Sequence, residues 1–481
     1  MLVNYRMTVR DGLLTFPEAL KEPFCESGDL PLRDGTTVAA EEIWHFMTEE
    51  APKRFPYAFT TTDAGVRRLP NYVELLGIIK YHYLDFSRRF RSESLRRLGV
   101  PVVFIQGGQA VDPYYAAKAI PARPGRLSDW ACYYAAEGMD CRGRDLKKMD
   151  WCHDGSQIVS VDACHQAGSH AFIRQGILGV DLLAPVLNLR CSDVSFLVES
   201  HRDCDTRIPA LFVDFPINHE SGKEWVVDYV AQGVRRLVSR IDELTGKRTT
   251  DEEFLAQIRI HNRIRRLGRE CVQLWWSALD PPTYSVYLFW IQNLAHHCEG
   301  DPIATLEIFE EIRAELKERV EAGVKGNEVS EDAVRIFTCG SCYRPNPYHI
   351  ERAGGVHLGC NDFWSSLWID VAEDGDPYQN YARAILAAPY ELATEERAKW
   401  TARQVKESRA DGMIFGHHWG CSFQSAIAQM VTDIVQRETG VPAMAIEVDD
   451  LGRGESAEQA QNRIEALIER LRLGSPRTLL T

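Results

Sequence analysis

Asp411-Gly-Met-Ile-Phe-Gly-His-His-Trp-Gly-Cys-Ser-Phe-Gln-Ser-Ala-Ile-Ala-Gln-Met430 is the stretch on which the reading of the fold turns. Met413-Ile-Phe415 is a short apolar run, Gly416 to Gly420 breaks it, and Cys421 stands ahead of a helical pattern. A fully apolar run of strand length that ends at glycine and passes into a helix reads as a buried strand of a parallel sheet. The same order recurs in both directions. Downstream, Ala443 to Val448 runs into Asp449-Asp450; upstream, Val334-Arg-Ile-Phe337 precedes Thr338-Cys339, and Val356-His-Leu358 precedes Gly359-Cys360. A second series lies further upstream: Val102-Val-Phe-Ile105 before Gly107-Gly108, Ile158-Val-Ser-Val161 before Asp162-Ala-Cys164, Leu182 to Leu189 before Cys191, and Leu211-Phe-Val-Asp214 before Pro216.

Between the two series the period changes from strand to helix. Val230, Val234, Leu237, Ile241 and Leu244 fall on one helix face, and Gly246 is a plausible stop. Thr250 with Glu253 forms a capping-box pattern ahead of Phe254, Ile258 and Ile264. The aromatic patch from Leu274-Trp-Trp276 to Trp290 reads as a core or an interface, with core the better reading. Ser456 with Gln459 opens a closing helix whose apolar face is Ile464, Leu467, Ile468 and Leu471. The fold expected is therefore α/β: two Rossmann- or flavodoxin-like parallel-sheet domains, 98–222 and 326–481, joined by a helical linking region, 223–325, and preceded by a helix-rich N-terminal extension, 1–97.

Composition narrows the function. The 481 residues carry a net charge of −14, so the basic face of a nucleic-acid binder is missing. No run of 18 apolar residues occurs, and the opening MLVNYRMTVRDGLL has no apolar signal core, so a cytoplasmic protein without membrane association is expected. A P-loop, a strand-linked G-x-G-x-x-G, a G-x-S-x-G elbow and H-E-x-x-H are all missing, which argues against hydrolase and nicotinamide-dehydrogenase chemistry.

Thirteen cysteines are the unusual count. In a large chain without a secretion signal they read as buried thiols, metal ligands or redox thiols rather than staples. Cys164, Cys191, Cys339, Cys360 and Cys421 each come after an expected strand, where the loops of an open α/β sheet gather around ligands. Cys164, Cys191 and Cys421 also precede a helical pattern, and a helix N-terminus favours the thiolate that binds metals. Cys339-Gly-Ser-Cys342 competes as a redox pair or, with Cys360, as part of a zinc site. Cys25, Cys132, Cys141, Cys152, Cys204, Cys271 and Cys298 lack the strand-end setting and read as structural.

At this point the chain resembles the 2-hydroxyacyl-CoA dehydratase subunits, which share a fold with the core subunits of ATP-dependent benzoyl-CoA reductase. The resemblance rests on Asp411 to Phe415, His418-Trp-Gly-Cys421, the segment Gly440-Val-Pro-Ala-Met-Ala-Ile-Glu-Val-Asp449 and the helix beginning Gln461-Asn-Arg-Ile. It extends to Asp162-Ala-Cys164, to Cys191 ahead of Pro209-Ala-Leu-Phe-Val-Asp-Phe-Pro216, and to Ile241-Asp-Glu-Leu-Thr-Gly-Lys247 with Thr250 and Asn262-Arg263. The resemblance implies a [4Fe-4S] cluster held by Cys164, Cys191 and Cys421, an acyl-CoA substrate, a homologous second subunit or further copies of this chain, and an ATP-dependent iron–sulfur activator that delivers one electron. It implies an anaerobic hydro-lyase working through a ketyl radical or, in the reductase branch, an oxidoreductase whose substrate keeps the electrons.

His165, His417 and His418 flank these cysteines and are the candidates for acid–base work, since imidazole titrates near neutrality. Ser422-Phe423 stands where relatives often carry Lys-Gln, and Cys152 rivals Cys164 as a ligand. Cys339, Cys342 and Cys360 leave open a larger, double-cubane-type cluster. A scaffolding subunit without a cluster is the remaining alternative.

Overall fold

Residues 334–340 alternate little and bury almost everything, as a central parallel strand must. The computed structural model describes residues 2–59, 69–105, 110–122, 181–183, 186–187, 208–211, 213–214, 222–278, 280–340, 347–359, 365–418, 420–448 and 457–474. The expected strand at Ile158–Val161, and Cys132, Cys141, Cys152, Cys164, His165, Cys191, Cys204, Cys342 and Cys360, lie outside those residues.

The first series of runs gives β1 (Val102–Phe104), β2 (Ile120–Ala122) and β3 (Leu182–Leu183), a parallel sheet in the order β2-β1-β3. The run expected from Leu182 to Leu189 divides, because its second part, β4 (Val186–Leu187), pairs in parallel with β5 (Val213–Asp214) instead. The second series gives β6 (Val334–Gly340), β7 (Gly355–His357), β8 (Gly412–His418) and β9 (Ala443–Val448), all parallel, in the order β7-β6-β8-β9. In both the three- and the four-stranded sheet the first strand in sequence lies between the second and the third. That reversal of winding places the crevice of the larger sheet between the carboxyl ends of β6 and β8.

Two expected strands are corrected in length. β6 runs on past Phe337 through Cys339, because Cys339 and Gly340 pair with Phe415 and Gly416. β8 runs on past Phe415, because His417 and His418 pair with Glu447 and Val448. Polar side chains and a thiol thus sit inside the ladder, held there by their neighbours rather than by hydrophobic pattern.

Long helices surround the sheets. α1 (Gly77–Arg97) belongs to the N-terminal region, which also carries three short antiparallel pairings that its irregular sequence conceals. α2 (Asp112–Ala116) follows β1. α3 (Glu224–Thr245) ends at left-handed Gly246, φ 64°. α4 (Asp251–Ser277) opens with the reciprocal Thr250–Glu253 capping box expected from sequence. α5 (Val286–His297) and α6 (Pro302–Glu321) complete the helical segment. α7 (Pro377–Leu386), α8 (Thr394–Glu407), α9 (Ser422–Thr439) and α10 (Ala457–Gly474) accompany the second sheet. The closing helix buries Ile464, Leu467 and Ile468 against Ile336, Ile414 and Ile446, as its spacing implied.

The aromatic patch is core: Trp275 and Trp276 are buried, Trp276 stacks with Trp368 at 6.3 Å, and its Nε1 donates to the Leu358 carbonyl. This joins α4 to the second sheet. α7 reaches the other way and packs on α3, where Arg383 pairs with Glu224 and Gln379 Nε2 donates to Asp228. Buried Asp112 of α2 receives both Nη1 and Nη2 of Arg265 on α4, at 3.0 and 2.9 Å. Burial pushes the Asp112 carboxyl up, but the Arg265 guanidinium and nearby His261 outweigh it and hold it below the usual range. Among the described residues no helix is long and apolar enough to cross a membrane.

Candidate functional site

Gly416 to Cys421 does what its glycines permit. The chain leaves β8 after His418 and turns at Gly420, φ 79°, a conformation costly for other residues. It then places Cys421 at the N-cap of α9, with φ −81° and ψ 83°. The Cys421 carbonyl accepts the Ser425 N–H at 3.0 Å, closing the first turn. Its side chain is half-buried, and it lies at the carboxyl edge of the sheet beside the β6–β8 crevice. A thiol at a helix N-terminus feels partial positive charge and unbonded N–H groups, which favour the thiolate.

A buried cation adds to this polarity. Arg397 of α8 is 0% exposed, and its Nη2 donates at 3.4 Å both to the Gly340 carbonyl at the end of β6 and to Gln424 Oε1 in the first turn of α9. The guanidinium lies 4.6 Å from the Tyr390 ring centroid, 5.8 Å from Phe423 and 5.9 Å from Phe415. Gln424, also buried, donates Nε2 to the Tyr390 hydroxyl at 2.7 Å, which fixes the amide's orientation. Sequence reasoning passed over Arg397. The available signal was an arginine on the same face of α8 as Ala398, Thr401, Ala402 and Val405, all buried. Charge on an apolar stripe asks for a partner.

Other expectations resolve unevenly. His417 is nearly buried, its Nδ1 is 3.0 Å from Ser425 Oγ and 3.8 Å from Glu447, and it therefore ties β8 to α9 and β9. His418 ends β8, and its side chain lies outside the described residues. Cys339 is a correction: it lies within β6 rather than after it, fully buried, with Sγ 3.7 Å from Met413 Sδ. Cys271 is a buried thiol that burial pushes far up from its ordinary pKa, as expected of a structural cysteine.

Among the described residues no three His, Cys, Asp or Glu side chains converge, so Cys421 is the one expected ligand whose surroundings can be tested. Those surroundings fit an anionic, thiolate-bound group: a strand-end sulfur caps a helix whose first turn is bonded, through Gln424, to a buried guanidinium. Cys164 and Cys191 lie outside the described residues.

The family model of the 2-hydroxyglutaryl-CoA dehydratase D-component matches residues 114–471, which includes β6 to β9 and α9. The chain is also similar to one of the subunits of benzoyl-CoA reductase from Thauera aromatica, 26% identical over 203 residues, covering 39% of this chain and 49% of that protein. The chain thus spans about half the length of the curated relative it matches. With most of its length matched, the chain belongs to the 2-hydroxyglutaryl-CoA dehydratase D-component family.

Proposed function

We propose that this chain is the iron–sulfur subunit of an oxygen-sensitive, ATP-activated acyl-CoA enzyme, a 2-hydroxyacyl-CoA dehydratase that eliminates water from its thioester substrate. One observation carries the reading: Cys421, inside the family-matched stretch, caps a helix at the crevice of a parallel sheet, and a buried arginine bonds the first turn of that helix. Cys164 and Cys191, inside the same matched range, are its proposed companions in holding a [4Fe-4S] cluster. When bound, such a cluster supplies one-electron chemistry at low potential.

The chain's own residues then have defined tasks. α9 directs its first N–H groups toward the carboxyl edge of the sheet. Phe415, Phe423 and Tyr390 set their rings around the Arg397 guanidinium next to the first turn of α9, apolar surroundings that would help keep water from a reactive centre there. His417 positions α9 through Ser425, which leaves His165 and His418 as the proposed proton carriers. The proposed domains are 98–222 and 326–481, with 223–325 linking them and 1–97 as an extension. The proposed partners are a homologous second subunit or a second copy of this chain, and an ATP-hydrolysing activator.

The name of the Thauera relative favours a second reading, net reduction of an aromatic acyl-CoA. ATP counting against product separates the two when the chain is assayed anaerobically with its partner subunit and activator. Elimination of water returns its electron, so the proposal expects far less than one ATP per turnover. ATP use in fixed proportion to product contradicts it and favours reduction.

A further inference from the structure

We propose that Arg397 is a positioning and charge-balancing residue for the anionic iron–sulfur group held through Cys421, and that it raises that group's reduction potential. The inference rests on the reading of Cys421 as a ligand. It goes beyond that reading because Arg397 belongs to no motif and lies on a different helix, α8.

The geometry carries the argument. A guanidinium at 0% exposure has given up its hydration, and its partners include the Gly340 carbonyl, the Gln424 amide oxygen and three aromatic rings. Carbonyls and ring faces offset that loss while leaving the positive charge in place. The two hydrogen-bond partners belong to the two elements that frame the crevice, the end of β6 and the first turn of α9. Gln424 is three residues from Cys421 and is locked by Tyr390, so the cation is held against the ligand-bearing turn. Nearby positive charge stabilises whichever redox state carries more negative charge, which is the reduced state. Low dielectric surroundings strengthen the effect.

The test is a redox titration followed by electron paramagnetic resonance on the full chain, purified without oxygen, as wild type, R397Q, R397K and Q424E. At the wild-type midpoint, R397Q should lower the ratio of reduced to oxidised cluster about tenfold, a downward shift of about 59 mV for one electron. Q424E, which sets a carboxylate against the guanidinium without removing it, should shift the ratio in the same direction. R397K, which keeps the charge, should stay within about threefold of wild type. The proposal is overturned if R397Q and Q424E keep the wild-type ratio, or if R397K shifts as far as R397Q. Loss of cluster in R397Q with no change of midpoint in Q424E also overturns it, because that pattern marks a purely structural residue. If R397Q fails to fold, Q424E decides alone. A wild-type chain that holds no cluster removes the Cys421 reading itself, and this inference with it.

Discussion

Replacing Gly340 by alanine tests the construction of the crevice before any cofactor is considered. Gly340 ends β6 with φ 115°, and a Cβ built there would lie 2.0 Å from the Gly416 carbonyl oxygen on β8. That contact is about 1 Å inside the closest approach real side chains make, and the carbonyl it meets is backbone and cannot swing aside. G340A must therefore separate the ends of β6 and β8. The unusual backbone angle costs on the order of 1–3 kcal/mol for a residue with a side chain. Losing one or two ladder hydrogen bonds adds about 1 kcal/mol each. The total is roughly 2–5 kcal/mol, and G375A provides the control. Gly375 has φ 80° but nothing within 4 Å of an added Cβ, so only the backbone term of about 1 kcal/mol remains. Scanning calorimetry should show the transition containing the second sheet falling by roughly 4–20 °C in G340A, at about 2–4 °C per kcal/mol for a unit of this size. G375A should lose only a few degrees. Equal losses in the two variants would refute the close crossing of β6 and β8.

Two further predictions concern the packing around the site. D112A should destabilise the chain by about 3–5 kcal/mol in urea titration, because it strands the buried Arg265 guanidinium. The paired change D112L/R265M should recover most of that loss, and a double variant as unstable as the single would contradict the ion-pair account. Burial is the main cause that pushes the Glu315 and Glu351 carboxyls up to about 8 from an ordinary 4.5. A carboxyl whose folded pKa is raised binds its proton more tightly when folded. The stability it confers is full below about pH 4.5 and is lost as the pH climbs through about 8. Melting temperature should therefore fall between about pH 4.5 and 8, and E315Q and E351Q should each flatten the fall. A slope unchanged in both variants would show that other groups set it.

Much of this arrangement was legible in sequence, for definite reasons. Ile336, Ile414 and Ile446 sit in runs whose composition alone marks buried strands, and the Thr250–Glu253 pair announces its helix through local hydrogen bonds. Cys421 was found because strand, turn glycine and helix are contiguous in the chain. The misjudged strand ends show where local pattern stops. Cys339 and His417 stay in the ladder because Phe415 and Glu447, distant in sequence, pair with them. Arg397 and the Asp112–Arg265 pair were invisible for the same reason: each draws its meaning from partners that only the fold supplies.

Iron and acid-labile sulfide measured in the chain purified without oxygen, wild type beside C421A, test the central claim most directly. The account predicts a brown wild-type protein with about four irons and a matching amount of sulfide per chain. C421A should keep its fold by circular dichroism and lose most of both. A colourless, iron-free wild type, or a C421A variant that retains the full complement of iron and sulfide, would contradict it.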